Sequence, residues 1–305
     1  MRLTRRSVLA GSAALPLSTL LPRFAVAEMA LGSALLTTVS DGHLVLPGDF
    51  IFAPMPQDDL AQVLAQFPEV SREQVEPPCN LTLYRDGTQT VLFDAGSGPD
   101  FVPTAGRIVE SLDALGLSPE DITHVVLTHG HPDHIWGLLD DFDEPLFSNA
   151  QHMMGQAEWD YWWNPATVDT LPEDRKSFAV GAKRRMEAIE DSVTRFADGE
   201  EILPGVMALL TAGHTPGHMS FELRNGSDSA LVLGDAISNH HVALARPGWE
   251  SGSDQDPALA AATRQRLLER ITGDGLRVAG FHFPEGGLGR IEAAGDGFRF
   301  TADGS

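Results

Sequence analysis

The sequence predicts an α+β protein with four layers, in which two β-sheets face each other and helices cover their outer faces. Predicted strands fall into two groups along the chain, and predicted helices accompany each group. The 30 glycines and 20 prolines favour many short strands and loops over a bundle of long helices. No internal repeat or linker-like change of composition divides the chain, so we expect a single domain over residues 28–305.

The N-terminal segment, residues 1–27, has the pattern of a bacterial export signal. Arg5 and Arg6 precede a mildly apolar stretch, and small residues at 25–27 suit a signal peptidase. Paired arginines are typical of twin-arginine signals, which are read by a machinery that exports folded proteins. We therefore predict cleavage before Glu28, a periplasmic or secreted mature protein, and no membrane insertion after cleavage.

The charge of the chain restricts its partners. There are 43 acidic and 21 basic residues, a net charge of −22, and removal of the signal deletes arginines but no acid. Such a surface repels phosphate backbones, so nucleic acid is not an expected partner. The charge says nothing about a small-molecule substrate, which remains the expected partner. Cys79 is the only cysteine, which excludes an intramolecular disulfide and favours a buried apolar role. The sequence leaves both a monomer and a homodimer open.

In the first half of the chain, two Asp-Gly pairs between apolar segments predict tight hairpins. The predicted elements are strands at 35–39 and 43–46, a helix at 58–67, strands at 80–84 and 90–93, a helix at 105–115, a capped helical turn at 118–121 and a strand at 122–127.

In the second half, apolar residues at helical spacing with charges between them predict the first long element. The predicted elements are a helix at 172–196, strands at 206–211, 219–223 and 230–233, a helix at 258–271, and strands at 276–281, 289–292 and 297–300.

A polar cluster follows directly on the predicted strand 122–127. It reads His129-Gly130-His131-Pro132-Asp133-His134 and holds three imidazoles and one carboxylate. A protein core does not absorb so many polar groups unless each has a partner. His129 and His131 lie two apart, so an extended segment directs both the same way. Imidazole nitrogens and carboxylate oxygens suit zinc, and also iron, manganese or cobalt, so the cluster predicts a metal site.

Three further segments each place a histidine or an aspartate at or beyond the end of an apolar strand. They carry His214 within Gly-His-Thr-Pro-Gly-His, Asp235 after Leu-Gly, and His282 within Gly-Phe-His-Phe-Pro. Together with the cluster at 129–134, and in this order, the segments resemble the metallo-β-lactamase superfamily. The likeness extends over nearly the whole mature chain and includes the opening Asn80…Asp94-Ala95-Gly96.

The resemblance implies a metallo-β-lactamase-like αββα sandwich with two divalent metal ions, zinc being the expected metal. His129, His131 and His214 resemble the ligands of the first metal. Asp133, His134 and His282 resemble those of the second metal, and Asp235 matches the carboxylate that bridges both. The family uses a hydroxide held between the metals, which Asp133 orients and from which it can take a proton.

Other residues receive secondary roles by the same resemblance. His218 and Asp94 match positions that support the ligands without touching metal. The histidines His240 and His241 are expected either at the pocket edge or in a surface loop. Because they neighbour ligands in sequence, Trp136 and Phe283 are expected to line an aromatic substrate pocket.

Within the superfamily, the arginine pair, the ligand spacing and the Gly-Phe-His282-Phe-Pro segment look most like the methyl-parathion-hydrolase-like branch. That resemblance implies hydrolysis of esters, lactones or phosphotriesters. Homoserine lactonases of this fold commonly carry a tyrosine where this chain has Ser238, which ranks aryl esters and phosphotriesters above homoserine lactones. A persulfide-dioxygenase-like enzyme with a single iron, and a β-lactamase, remain the alternatives.

Overall fold

A computed structural model describes residues 27–303, so the predicted export signal, apart from Ala27, lies outside the described residues. The strands of the described chain are β1 Glu28–Leu31, β2 Ala34–His43, β3 Leu46–Pro47, β4 Gln74–Val75, β5 Pro78–Arg85, β6 Thr90–Phe93, β7 His124–Leu127, β8 Gln151–Gly155, β9 Thr194–Phe196, β10 Glu201–Leu203, β11 Val206–Leu210, β12 Met219–Asn225, β13 Asp228–Val232, β14 Arg277–Ala279, β15 Leu288–Ala294 and β16 Gly297–Ala302.

The helices flank these strands. They are α1 Asp49–Phe52, α2 Gln57–Leu64, α3 Ile108–Ala114, α4 Pro132–Ile135, α5 Gln156–Trp163, α6 Thr167–Thr170, α7 Lys176–Ile189, α8 Val242–Ala245 and α9 Pro257–Asp274, with 3-10 turns at Pro119–Asp121, Trp136–Leu138 and Glu173–Arg175. No helix among residues 27–303 is both long enough and apolar enough to cross a bilayer.

The strands build the two predicted sheets. One has the spatial order β1-β2-β5-β6-β7-β8-β9, the other runs β10-β11-β12-β13-β14-β15-β16, and β3 pairs with β4 apart from them. The inner faces pack Phe93 and Val126 of the first sheet with Phe221 and Val232 of the second. Helices cover both outer faces, which confirms the predicted four-layer α+β sandwich.

The position of β7 between two layers explains why its sequence is apolar at consecutive positions. Val126 belongs to the core between the sheets, whereas Val125 and Leu127 belong to the core under the helices. Side chains alternate between the faces of a strand, so a strand that is covered on both sides needs apolar residues at every position.

The helix α9 has signals at both ends. The Asp256 carboxylate accepts a hydrogen bond from the Leu259 backbone N–H, at 3.0 Å, and Pro257 occupies the first turn. Gly275 ends the helix at φ 64°, a left-handed conformation that favours glycine. Between these ends, Leu267, Leu268 and Ile271 pack against the second sheet. The helix predicted at 258–271 is thereby confirmed.

The hairpin predicted around Asp41-Gly42 is wrong. Residues 34–43 form one strand, β2, which pairs with β5 and has a register shift between Ser40 and Gly42. The Asp41 carboxylate is buried and accepts hydrogen bonds from the backbone N–H groups of Ser97, Gly106 and Ile108. Hydrogen bonds from a segment distant in sequence therefore hold the aspartate, which would otherwise favour a turn.

Two further differences concern the region after the histidine cluster. The helix predicted at 172–196 ends at Ile189 in α7, and Thr194–Phe196 is instead the edge strand β9. The pair β8 and α5 was not predicted, although α5 contains three of the tryptophans. The remaining hairpin, β5 with β6, forms as predicted.

The strand directions explain where the polar segments meet. In the first sheet β6 and β7 are parallel neighbours, and in the second sheet β13 and β14 are parallel neighbours. At this edge, strand residues of one sheet form backbone hydrogen bonds with loops that follow strands of the other sheet. Met219 N–H donates to the Thr128 carbonyl at 2.9 Å, and Asn80 N–H donates to the Phe281 carbonyl at 3.0 Å. The segments that follow these strands therefore converge at a single edge of the sandwich.

Candidate metal centre

Three histidines form the first half of a buried polar cluster. His129 and His131 come from the loop after β7, and His214 comes from the loop between β11 and β12. The Nδ1 atom of His131 lies 3.0 Å from His129 Nε2 and 2.9 Å from His214 Nε2. The three ligand atoms could hold one metal ion. Burial lowers the pKa of His129 and of His131 well below the usual value, which keeps these rings neutral as metal ligation requires.

The second half of the cluster combines two histidines with a carboxylate. The Oδ2 atom of Asp133 lies 3.4 Å from His134 Nε2 and 3.3 Å from His282 Nε2. Burial opposes protonation of His282, but Asp235 and Asp133 outweigh it and raise the pKa of this imidazole to about 10. The two carboxylates therefore favour positive charge at this position, and a metal ion bound there would take the place of the imidazole proton.

Asp235 lies between the two halves. Its Oδ2 atom is 3.3 Å from His214 Nε2 and 3.4 Å from His282 Nε2, and its Oδ1 atom is 3.5 Å from His134 Nε2. Two of these buried atoms, Asp235 Oδ1 and His134 Nε2, have no hydrogen-bond partner among the described residues. Buried polar atoms without partners are costly, and a cation between them would satisfy both. The seven predicted ligands thus converge as a two-metal centre requires.

The outward nitrogens of the histidines are held in place by other groups. Asp94 Oδ2 lies 2.8 Å from His134 Nδ1, and the Pro78 carbonyl oxygen lies 2.8 Å from His282 Nδ1. Asp94 also accepts from the Thr128 backbone N–H, at 2.7 Å. Such partners fix the tautomer and the orientation of a ligating imidazole. Asp94 therefore lies where it was predicted, behind the ligand loop.

His218 also lies where it was predicted. The Asp235 backbone N–H donates to His218 Nε2 at 2.9 Å, and Thr211 Oγ1 lies 2.8 Å from His218 Nδ1. Both nitrogens are therefore engaged behind the cluster, and the ring positions the Asp235 loop.

Asp254 is a supporting residue that sequence reasoning missed. Its Oδ1 atom lies 2.9 Å from His214 Nδ1, and its Oδ2 atom accepts from Arg264 at 3.1 Å. All three side chains are buried. The carboxylate thus connects a ligating histidine to a buried guanidinium, in the way that outer carboxylates orient metal-bound histidines.

Glu158 of α5 is the second residue that was missed, and it joins both ligand loops. Its Oε1 atom accepts from the Gly130 backbone N–H at 2.9 Å and from Trp162 Nε1 at 2.6 Å. Its Oε2 atom accepts from Thr215 Oγ1 at 2.8 Å and from the Gly217 N–H at 2.9 Å. The carboxylate is fully buried, so one side chain fixes the loop of His129 and His131 to the loop of His214.

A pocket of about 860 Å³ opens onto the cluster. His131, Asp133, His214, Asp235 and His282 form its polar floor. Its walls are mainly aliphatic and phenylalanine side chains, namely Leu44, Leu46, Phe50, Ile51, Val70, Val75, Phe101, Val102 and Phe178. A pocket of this size and polarity suits a small organic molecule.

The predicted pocket role of Trp136 and Phe283 is wrong, because neither residue lines the pocket of the described chain. Trp136 lies beneath Arg185, whose guanidinium carbon is 4.6 Å from the ring centroid. Phe283 is fully buried against Phe300, with ring centroids 5.0 Å apart. Sequence neighbours of a ligand can point away from it, since successive side chains in loops and short helices face different directions.

Three other residues named from the sequence lie near the cluster. His240 and His241 both line the pocket, which settles the two readings in favour of the pocket edge. Cys79 is fully buried, as expected for an apolar role, with its sulfur within 4.8 Å of ligand atoms of Asp133 and His282. Burial raises the pKa of the Cys79 thiol well above its usual value, so the thiol stays neutral.

Comparison with known proteins agrees with this geometry. Residues 75–282 match the family model described as the metallo-beta-lactamase superfamily. The N-acyl homoserine lactonase AttM of Agrobacterium fabrum is 30% identical over 128 residues, which cover 41% of this chain and 44% of that protein. The N-acyl homoserine lactonase AiiB of the same organism is 36% identical over 190 residues, which cover 56% of this chain and 67% of that protein. The matched part of AttM is thus less than half of that relative's length.

Solved structures extend the likeness over nearly the whole chain. The hydrolase AbOPH of the beta lactamase superfamily is 26% identical with a TM-score of 0.84, covering 91% of this chain and 97% of that chain. AidC, a dizinc quorum-quenching lactonase, is 23% identical with a TM-score of 0.85, covering 92% of this chain and 98% of that chain. The second likeness concerns the fold alone.

We expect Glu158→Gln to loosen both ligand loops. The new amide NH₂ must face at least one of the four donors that the carboxylate now accepts from, so a buried bond is lost. Urea unfolding of the metal-free chain should show a loss of about 1–3 kcal/mol. Asp160→Asn on the exposed side of the same helix is the control and should stay within about 0.5 kcal/mol. Equal stability of the two variants would show that Glu158 does not join the loops.

We expect Asp254→Asn to weaken metal binding at the three-histidine group. An asparagine cannot accept from both His214 and Arg264, so the imidazole loses its fixed orientation. Competition with a chromophoric chelator should show a loss of roughly ten- to hundredfold in affinity for the more sensitive metal. Asp256→Asn is the control, because asparagine also caps a helix. Matching affinities in both variants would contradict the role of Asp254.

Proposed function

The chain belongs to the metallo-beta-lactamase superfamily, and we propose that it is a two-metal hydrolase of neutral carboxylic esters, lactones among them. The observation that carries the proposal is the pocket, whose floor is formed by five residues of the seven-residue cluster and whose walls are mainly apolar. Hydrolysis is the chemistry that the names of these relatives share, one being a hydrolase and two being lactonases.

The residues present fit two divalent cations, and we propose zinc for both. His129, His131 and His214 would hold one, Asp133, His134 and His282 would hold the other, and Asp235 would contact both. Such ions supply Lewis acidity, which polarises a substrate oxygen and makes water nucleophilic near neutral pH. The nitrogen and oxygen donor set suits zinc.

Asp133 is the proposed catalytic carboxylate. It lines the pocket, and burial opposes its ionisation, but His134 and His282 hold its pKa well below the usual range. The group is therefore an anion at neutral pH and can accept a hydrogen bond from the attacking water. Its Oδ2 atom is already close to two imidazoles, so the carboxylate keeps a fixed direction.

The walls of the pocket favour a neutral substrate with an apolar group. Phe101 and Phe178 offer ring surface, and Leu44, Ile51 and Val102 offer aliphatic surface. A phosphodiester keeps a negative charge and would need several cations, whereas Arg175 is the only lysine or arginine that lines the pocket in the described chain. Neutral esters and lactones need none.

Neutral phosphotriesters are the second candidate, as the resemblance to the methyl-parathion-hydrolase-like branch implied. They carry no net charge and would fit the same apolar walls. Ser238 lines the pocket where lactonases commonly carry a tyrosine, so a homoserine lactone would lack that phenol here. The lactonase relatives, in turn, support lactones. Rates on matched substrates decide between them.

We expect the metal-loaded enzyme to cleave p-nitrophenyl esters, lactones and neutral phosphotriesters faster than bis-p-nitrophenyl phosphate or β-lactams. Asp235→Asn should lower bound metal from about two equivalents and reduce every rate by orders of magnitude, because it removes the shared carboxylate. Asp296→Asn, an exposed change in the β15–β16 turn, is the control. Preferred cleavage of the phosphodiester, or one iron per chain without hydrolysis, would contradict the proposal.

We also propose that residues 1–27 direct twin-arginine export to the periplasm or medium, which rests on the sequence alone. Changing Arg5 and Arg6 together to lysine should leave the precursor inside a bacterial host, because the receptor reads the arginine pair. Intact mass should show that the exported protein begins at Glu28. An exported protein that still includes Met1 would refute cleavage.

A further inference from the structure

Arg175 is the only lysine or arginine that lines the pocket in the described chain, and polar residues, Glu69 and Glu76 among them, share the mainly apolar wall with it. It lies at the end of the turn Glu173–Arg175, directly before α7, and it is half-buried. Its guanidinium carbon is 4.4 Å from the ring centroid of Phe50, which also lines the pocket. A guanidinium is attracted to an aromatic face, so this contact helps to keep Arg175 at the pocket wall.

The Arg175 guanidinium has N–H donors that form no hydrogen bond with the described residues. It donates to the Gly252 carbonyl at 2.7 Å and to the Ser253 carbonyl at 3.4 Å, two bonds from a group with five N–H donors. It forms no ion pair with any carboxylate of residues 27–303. Two other arginines, both buried, do form ion pairs: Arg185 pairs with Asp100, and Arg264 pairs with Asp254.

The position of Arg175 relates it to the floor of the pocket. The Gly252–Ser253 segment that it binds continues into Asp254, which orients His214. Phe178, in the first turn of α7, lies 5.7 Å from the His131 ring, measured between centroids. Arg175 therefore belongs to the wall that rises from the three-histidine group, and it is not part of the cluster itself.

The half-buried guanidinium has N–H groups that no described residue accepts, and Asp174 and Asp254 favour its charged form without forming an ion pair with it. Burial removes part of the hydration that would satisfy it, and this type of group remains charged in proteins. The pocket wall also has acceptors, Glu69 and Glu76 among them, but neither bonds to the guanidinium, so a ligand in the pocket can supply an acceptor for the unused N–H groups.

We propose that Arg175 is a specificity-determining residue that binds an acceptor oxygen of the substrate, a carboxylate or a carbonyl, remote from the bond that is cleaved. The proposal rests on the hydrolase function given above. The preferred substrate is then an ester or lactone whose apolar part carries one further oxygen, and a purely hydrocarbon acyl group is a poorer substrate.

The test compares three p-nitrophenyl esters of equal chain length, namely the hexanoate, the 5-oxohexanoate and the monoester of adipic acid. The metal-loaded wild type should show a higher kcat/KM for at least one oxygen-bearing ester than for the hexanoate. A preference for the adipate identifies a carboxylate, and a preference for the oxo ester identifies a carbonyl.

Arg175→Met should reduce that preference by roughly tenfold or more, the scale of one hydrogen bond to a charged group. Arg175→Lys should keep part of it, because a cation remains. Lys176→Met is the matched control, since Lys176 does not line the pocket and pairs with Glu173. Metal content is measured for every variant.

A binding measurement separates this proposal from the proposed function. Titration calorimetry of the metal-loaded protein with hexanoate, 5-oxohexanoate and adipate should show the same preference and the same loss in Arg175→Met, whether or not the esters are hydrolysed. Binding with no hydrolysis would contradict only the hydrolase assignment. Equal binding of the three acids by the wild type, or an equal loss for all three in Arg175→Met, would overturn the role of Arg175.

Discussion

The free-energy cost of burying charged and polar side chains is the main constraint on this structure. Seven imidazole and carboxylate side chains meet at one edge of the sandwich, where each is almost excluded from solvent. Such groups are stable only if each finds partners of the right charge and geometry. These partners come in two kinds. Metal cations are expected inside the cluster, and the carboxylates of Asp94, Asp254 and Glu158 form hydrogen bonds around it. The two sheets place the metal-ligand residues at one edge of the sandwich, and the outer carboxylates fix their orientation.

Much of this arrangement could be predicted because its signals are local. The run before His129 reads as a strand covered on both sides, and the capping box of Ser118 and Asp121 and the glycine after α9 mark where elements begin and end. A polar side chain that directly follows a buried strand is expected at the edge of the sheet, because both faces of the strand are covered by apolar residues. The four ligand segments could therefore be placed together from the sequence.

What failed depends on contacts between distant residues. Asp41-Gly42 carries a hairpin signature, yet backbone N–H groups at 97, 106 and 108 bind the carboxylate and keep the strand continuous. Glu158 stands in a helix among tryptophans, and no local pattern distinguishes it from a solvated glutamate. Trp136 adjoins the ligands in sequence, but its ring packs against Arg185. Each outcome is decided by which side chains the fold brings close, and that information is spread over the chain.

The central claim is that one cluster holds two metal ions with Asp235 between them. Anomalous diffraction from crystals of the metal-loaded protein tests it most directly. The account predicts two peaks, one contacted by His129, His131 and His214 and the other by Asp133, His134 and His282, with Asp235 contacting both. A single peak in metal-saturated crystals, or two peaks that do not share Asp235, would contradict it.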